Sequence, residues 1–306
     1  PFSIPDLAAH FTAHPLDSRL QTILFLTLSA GFMVKVPLFP FHTWLPLAHV
    51  EAPTAGSVML AGVLLKLGSY GFFRICLPIY REACSEVGLP LIATLSVIGI
   101  VYGSLCALHQ RDIKKLVAYS SVAHLGFCML GLFALNAEGV TGSLLQMINH
   151  GLSTGALFLL VGMVYDRYHT RQLDDLGGLA QRLPLISVAM VFTTMASIGL
   201  PGLNGFVGEM LSLAGMYKAD WIYAVIGTSG VVLGAWYMLT MVQHGFFGPL
   251  REPHDVHDPV TDMTPRELCA FLPLGAMCVW IGVMPQTFID FMKPDIQAVV
   301  QAYDGS

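Results

Sequence analysis

Long apolar runs separated by short polar loops dominate the pattern of hydrophobic and polar positions. Each run has about 20 residues with almost no charge, the length that an α-helix needs to cross a bilayer. Lipid offers the backbone no hydrogen-bond partner, so these runs are predicted to be helices. We predict an all-α polytopic membrane protein with eight spans, at about 20–50, 55–75, 89–108, 113–134, 141–165, 184–217, 220–246 and 267–290.

Prolines and glycines interrupt two of these runs. The first is broken near Pro37 and Pro40, and the long run at 184–217 is broken at "GLPGLNG" (199–205). Discontinuous helices at matching places in repeated halves form the midplane sites of many transporters. Proline kinks without any site are also common in membrane helices, so the breaks alone favour neither interpretation.

Composition and charge exclude several other classes of protein. The chain is 55% hydrophobic and only 11% charged, whereas soluble domains carry about 25% charge. A net charge of −5 without a basic patch argues against nucleic-acid binding. The six cysteines are scattered without a CxxC pair, so no metal or iron–sulfur site is expected.

Loop charges predict the orientation of the chain in the membrane. The side reached at the end of the first span, here called side A, has eight loop lysines and arginines, including Arg111 and Arg171. The opposite side B has five, including Arg74 and Arg81. The positive-inside rule therefore predicts that side A is cytoplasmic.

Three charged residues lie inside the apolar runs. Lys66 is roughly 13 Å deep in its run at 1.5 Å per residue, which is too deep for easy snorkelling. Lys35 lies beside the first break, where snorkelling is easier. Glu209 follows the second break, where a carboxylate can also cap a half-helix. Because charges within a bilayer are costly and usually functional, we interpret all three as candidate site residues.

Two histidines lie on polar stripes of neighbouring spans. His124 shares a helix face with Ser120, Ser121 and Cys128, and His150 shares one with Gln146, Ser153 and Thr154. Such stripes can simply hold helices together, but imidazole also titrates near neutral pH. Taken with the buried lysines and glutamate, the histidines favour a proton relay bridged by water and small polar side chains.

No motif of a soluble enzyme competes with this interpretation. The chain has no GxGxxG or Walker A loop after a strand, and no HExxH. The "HDVHD" segment (254–258) is interpreted as a hydrophilic loop rather than a metal site.

Four long motifs resemble a known family. They are "KVPLFPFHTWLPLAHVEAPTAGSVMLAGVLLKLGSYGFFR" (35–74), "DIKKLVAYSSVAHLGF" (112–127), "NHGLSTGALFLLVGMVYDR" (149–167) and "LPGLNGFVGEML" (200–211). Together they resemble subunit M, or chain 4, of respiratory complex I, the NADH:quinone oxidoreductase. The first motif fits that family better than the Mrp cation/proton antiporter subunits or the hydrogenase-linked membrane subunits.

The resemblance implies an antiporter-like fold built from inverted repeats. Residues 1–306 would form one transmembrane domain, with about 20–75 ending the first repeat, about 89–246 forming the second, and about 267–290 forming the final helix. Earlier helices of the family would precede this chain and supply the glutamate that pairs with Lys35. Leu47 stands where relatives often have an acidic residue, which leaves a local pairing of that acid with His42 or His49 in doubt.

The resemblance also implies a proton path. Its residues would be Lys35, Lys66, His124, His150, Glu209 and His42. In the family, the first lysine sits at the broken helix, the second is central, the two membrane histidines continue the axis, and the glutamate leads to the output side. His42 would lie near the cytoplasmic end, close to Lys35.

Cofactors and partners follow from the same resemblance. NADH, FMN, iron–sulfur clusters and quinone are expected in partner subunits, and no cofactor or metal in this chain. The expected partners are other complex I membrane subunits, especially neighbouring antiporter-like ones, together with lipid, protons and water. A bacterial inner membrane is favoured over a mitochondrial one. The competing functions are a cation/proton antiporter subunit without redox partners and a non-transporting scaffold.

Overall fold

The computed structural model describes residues 3–253, 260–301 and 303, and this part of the chain is helical with short connections. We number its helices in chain order. They are α1 (Ile4–Ala13), α2 (Ser18–Lys35), α3 (Trp44–Glu51), α4 (Thr54–Ile79), α5 (Arg81–Leu108), α6 (Ile113–Leu132), α7 (Ala137–Tyr168), α8 (Pro184–Ser197), α9 (Asn204–Ala219), α10 (Trp221–Phe246), α11 (Pro265–Val283) and α12 (Gln286–Val300).

The predicted fold class is confirmed. Six helices of the described residues are long and apolar enough to cross a membrane, namely α4, α5, α6, α7, α10 and α11. The two interrupted spans occur as helix pairs, α2 with α3 and α8 with α9, each pair separated by a short irregular segment. The chain is therefore a multi-pass membrane protein.

The ends of the chain differ from the prediction. The final predicted span at 267–290 stops at Val283, and α12 begins as a separate helix after Pro285. Proline has no amide hydrogen, so it cannot continue the hydrogen bonding of α11. Neither α12 nor the short helix α1 was predicted, because both are too polar and too short to resemble membrane spans.

Helices α6 and α7 form the centre of the bundle. Almost every side chain of α6 is buried, and α7 is buried along most of its length. Helices α5, α9 and α10 pack around them, whereas α11 exposes most of its apolar surface. Polar residues on α6 and α7 thus face the protein interior, and charged groups placed there must find partners in the protein.

A largely buried ion pair joins the side A ends of α7 and α11. Arg167 Nη2 lies 2.8 Å from Glu267 Oε2, and Nη1 donates to Oε1 at 2.9 Å. The carboxylate also accepts from the backbone and hydroxyl of Thr264 in a capping box. Next to it, Asp262 accepts from the amides of Leu185 and Ile186 at the start of α8. This network of hydrogen bonds connects the ends of α7, α8 and α11.

Replacing Arg167 with methionine is expected to destabilise the protein by about 3–5 kcal/mol, because it leaves the Glu267 carboxylate buried without its partner. The Arg167 and Glu267 side chains are only 10% and 15% exposed. The matched control is Arg111→Met, whose pair with Asp174 is 78% and 63% exposed and contributes about 0–1 kcal/mol. Thermal unfolding of the purified protein measures both. Equal effects of the two variants would contradict this account of the network.

Candidate functional site

Lys66 and His150 form a direct contact between α4 and α7. Lys66 Nζ lies 2.6 Å from His150 Nδ1, and it also donates to the carbonyl of Ala61. A short π-helical segment, Leu60–Leu64, interrupts α4 just before the lysine. Such π-bulges often occur at functional positions. The lysine is thus bound within the bundle rather than extended toward a membrane surface.

Those two nitrogens cannot both be charged at low cost. Two positive charges 2.6 Å apart repel by roughly 6 kcal/mol at an effective dielectric of about 20. The pair can therefore hold at most one excess proton at low cost, on either the amine or the imidazole. A single proton shared by two bases is mobile, which is the property that a relay requires.

His124 and Glu209 form a second pair, between α6 and α9. His124 Nδ1 lies 2.7 Å from Glu209 Oε1, and both side chains are buried. Gln146 Nε2 donates to the same carboxylate oxygen at 2.9 Å. Ser197 Oγ lies 3.3 Å from His124 Nε2, so both ring nitrogens have partners. The imidazole can donate to the carboxylate while it accepts from the serine, or donate to both when protonated.

The two pairs lie next to each other. The rings of His124 and His150 have centroids 5.9 Å apart and planes tilted by 57°. His150 Nε2 is buried and has no hydrogen-bond partner within the residues that the structure describes. The structure thus brings four of the six predicted residues into one row, ordered Lys66, His150, His124, Glu209.

The break between α8 and α9 positions the glutamate. Asn149 Nδ2 of α7 donates to the carbonyl of Asn204 at 2.7 Å, and Asn204 Nδ2 donates to the carbonyl of Asn149 at 3.2 Å. Both asparagines are fully buried. This reciprocal pair fixes the start of α9 against α7. Glu209 follows about one and a half turns later, at about 3.6 residues per turn.

Glycines allow α7 and α9 to approach each other closely. A Cβ on Gly142 would lie 2.3 Å from Ser212 N, and one on Gly215 would lie 2.2 Å from Gly139 N. Both contacts are with backbone atoms, which cannot rotate away. Only glycine fits at these positions, so the separation that places Glu209 beside Gln146 depends on them.

Changing Gly142 to alanine is expected to destabilise the α7–α9 packing by about 1–3 kcal/mol. It should also weaken the contacts of Glu209 with His124 and Gln146, because α9 must shift and Glu209 moves with it. The matched control is Gly99→Ala, where no side chain or neighbouring helix within the described residues comes within 4 Å of the added Cβ. Thermal unfolding of the two purified variants measures the difference in stability. A Gly142→Ala protein that behaves like Gly99→Ala would refute this role of the close approach.

The first break holds the other two predicted residues. Lys35 ends α2 and is partly exposed, and no ion pair or hydrogen bond of its side chain occurs within 3–253, 260–301 or 303. His42 is buried between the rings of Phe39 and Tyr102, at 5.7 and 5.3 Å. No hydrogen bond in the described residues joins either one to the row, so their roles stay predictions.

His49 is a buried histidine that the sequence analysis did not select. It lies on α3, fully buried, and stacks on Phe158 of α7 with centroids 4.3 Å apart. Neither ring nitrogen has a hydrogen-bond partner in the described structure. Lys114 and Arg171 donate to the carbonyls of Ala52 and Val50 and so fix the end of α3. The only signal for His49 in the sequence is its spacing of seven residues from His42.

Metal-ligand geometry does not occur in the described residues. No group of three or more His, Cys, Asp or Glu side chains there is arranged to hold a metal ion. The "HDVHD" segment lies outside the described residues. Leu47 is 64% exposed while His42 and His49 are buried, so position 47 faces away from both imidazoles.

An all-α bundle with two broken helices and an internal row of lysine, histidines and glutamate defines an antiporter-like membrane subunit. A sequence profile described as "NADH:quinone oxidoreductase/Mrp antiporter, TM" matches residues 3–234. Because this match covers more than half of the chain, the chain belongs to that family.

Relatives within the family are complex I subunits. The chain is 48% identical over 288 residues to NADH-quinone oxidoreductase subunit M of Rhodobacter capsulatus, covering 94% of this chain and 56% of the relative. It is 45% identical to NADH-ubiquinone oxidoreductase chain 4 of Marchantia polymorpha, covering 93% and 57%. The chain thus spans a little more than half the length of these relatives.

Solved structures agree with this grouping. Respiratory complex I from Thermus thermophilus contains a chain that superposes with a TM-score of 0.90 at 33% identity, covering 99% of this chain and 63% of that one. The Mrp complex from Dietzia sp. gives a TM-score of 0.83 at 21% identity, covering 93% and 60%. The latter likeness shows the shared fold only.

Proposed function

We propose that this chain translocates protons as a membrane subunit of NADH:quinone oxidoreductase. Electron transfer from NADH to quinone, with its flavin and iron–sulfur cofactors, would take place in other subunits. The observation that carries this proposal is the row Lys66, His150, His124, Glu209, which joins α4, α7, α6 and α9. Both histidines and the glutamate are buried, and Lys66 is partly buried. Identities of 45–48% to complex I subunits support the assignment to this oxidoreductase.

Each step of the path has a physical basis in the row. The Lys66–His150 pair can hold at most one excess proton, because double protonation is costly. Moving that proton to His124 creates an imidazolium beside the Glu209 carboxylate, 2.7 Å away, which stabilises the charge. Glu209 can then accept the proton directly, since its Oε1 lies within hydrogen-bond distance of His124 Nδ1. The row is cationic at one end and acidic at the other, so it can hold a proton at successive positions.

The transfer between the histidines needs a bridge. A ring separation of 5.9 Å exceeds a direct nitrogen–nitrogen hydrogen bond in the present ring orientations. Buried polar atoms of α7 have no hydrogen-bond partner in the described part of the chain, among them His150 Nε2, Thr154 Oγ1 and Asn149 Oδ1. Buried groups of this kind normally bind ordered water. We therefore assign this transfer to a water-bridged step, with ring rotation as the alternative.

Partners and location follow from the same proposal. The exposed apolar faces of α10 and α11 suit lipid or neighbouring membrane subunits, including other antiporter-like ones. A bacterial inner membrane is the proposed location, in keeping with the 48% identity to the Rhodobacter capsulatus protein.

The test is NADH-driven proton uptake by the intact complex in sealed proteoliposomes. Proton translocation that follows NADH oxidation equally in sodium-free and sodium buffer supports the proposal. The second candidate, a cation/proton antiporter subunit, is favoured by the shared fold of the Mrp complex. It predicts sodium-gradient-driven proton movement without NADH, and that result would replace the proposal.

A further inference from the structure

A cavity with charged side chains in its lining lies outside the relay, on side B. Its volume is about 230 Å³, and it is enclosed by α1, the junction of α4 with α5, and α12. Three charged side chains line it, namely Arg74, Arg81 and Asp295. The remaining walls are mostly apolar and include Ile4, Phe73 and Val299. With two arginines and one aspartate, the lining has one net positive charge.

The arginines have unused donors. Arg81 Nη2 donates to Thr12 Oγ1 at 2.8 Å, but Arg81 Nε is buried and has no hydrogen-bond partner among the described residues. No ion pair within the described ranges joins Arg74 or Arg81 to a carboxylate. A buried guanidinium N–H without an acceptor is unfavourable. An oxyanion in the cavity would satisfy that donor and balance the charge.

The surroundings match the boundary of a membrane. Arg74 and Arg81 bracket the end of α4, which is a membrane-spanning helix ending at Ile79. Phe291 lies one helical turn before Asp295 on α12 and is 87% exposed. An exposed aromatic ring beside basic side chains is typical of helices at a lipid interface. The apolar walls of the cavity continue this surface.

We propose that this cavity binds an anionic phospholipid, with its phosphate between Arg74 and Arg81 and its glycerol and acyl parts along the apolar walls. Arginine pairs well with phosphate because its planar fork donates two hydrogen bonds at once. A phosphodiester has a single negative charge, which matches the net charge of the lining. The apolar walls select a lipid over inorganic phosphate.

Lipid titration of the intact delipidated complex tests the site. Phosphatidylglycerol nanodiscs or phosphatidylcholine nanodiscs are added, and the melting temperature is followed. We expect the half-saturating phosphatidylglycerol concentration to rise about tenfold in Arg74→Ala/Arg81→Ala, because charge-assisted hydrogen bonds to phosphate are lost. Native mass spectrometry should show one retained phospholipid fewer per complex than in the wild type.

Arg19→Ala is the matched control, since Arg19 is an exposed arginine on the same side that does not line the cavity. Arg81→Lys keeps the positive charge but removes the Nε donor. This variant tests the site even if the double variant does not assemble. It should weaken phosphatidylglycerol binding several-fold. Wild-type binding by Arg81→Lys and the double variant would overturn the proposal. If inorganic phosphate raised the melting temperature as much as phosphatidylglycerol does, the lipid assignment would be overturned. The apolar walls of the cavity would then contribute nothing to binding.

Discussion

Lys66→Ala is expected to reduce NADH-driven proton translocation by the intact complex at least about a hundredfold, the low end of what a positioned acid–base group contributes. Lys66 is the side chain that shares a proton with His150 at 2.6 Å. Its loss leaves His150 Nδ1 without a partner and removes the cationic start of the row. The ratio of protons translocated to electrons transferred, measured in proteoliposomes, gives the result.

Lys293→Ala is the matched control for this variant. Lys293 is an exposed lysine on α12 outside the row, and its replacement should leave the ratio unchanged. Assembly of both variants is checked by the yield and subunit content of the purified complex. A Lys66→Ala complex that assembles and pumps with the wild-type ratio would remove Lys66 from the path.

Glu209→Gln is expected to block translocation to a similar degree while the complex still assembles. Glutamine has nearly the shape of glutamate, so it can still contact Gln146 and His124, which lie 2.9 and 2.7 Å from Oε1. An amide cannot take up or release a proton in this range of pH. The variant therefore separates proton exchange at Glu209 from its structural role at the start of α9.

The control for Glu209→Gln is Glu138→Gln. Glu138 pairs with Lys218 on the exposed ends of α7 and α9, and both side chains are largely solvent-accessible. A surface pair of this kind contributes about 0–1 kcal/mol, so pumping and stability should stay near wild type. Normal proton uptake by Glu209→Gln would contradict the role of the carboxylate as the exit of the row.

The helices and both breaks could be predicted because lipid restricts the possible structures so strongly. A run of about 20 apolar residues has few alternatives to a helix. The prolines at 37 and 40 and the "GLPGLNG" segment remove amide donors or favour turns, so the interruptions occur where predicted. The same reasoning failed for α12, since an amphipathic helix of 15 residues has no such length signal.

The order of the row could not be predicted from the chain. The depth of Lys66 along its span identified it as a candidate, and helical spacing placed His124 and His150 on polar faces. Neither observation predicts which helices pack against each other. The contact of Lys66 with His150 rather than His124 depends on the packing of α4 against α7. The π-helical segment before Lys66 has no sequence signal that we know of, because "LAGVL" also suits an ordinary helix.

The contacts of the buried histidines could not be predicted from the sequence either. His49 and His150 both lie in apolar surroundings, yet only His150 was selected, because Gln146, Ser153 and Thr154 give its helix a polar stripe. The stacking of His49 on Phe158 brings together residues that are far apart in the chain, and it has no local pattern. Contacts between distant helices are set by shape complementarity, which a single sequence does not display.

The central claim is that Lys66, His150, His124 and Glu209 form one proton path. It is tested most directly by the ratio of protons to electrons in Lys66→Ala, Glu209→Gln and the double variant, measured together in proteoliposomes. If both residues act in one path, the double variant should lose no more translocation than either single variant, because one interruption already stops the flow. Residual pumping in both single variants that falls further in the double variant would show two independent paths and contradict the account.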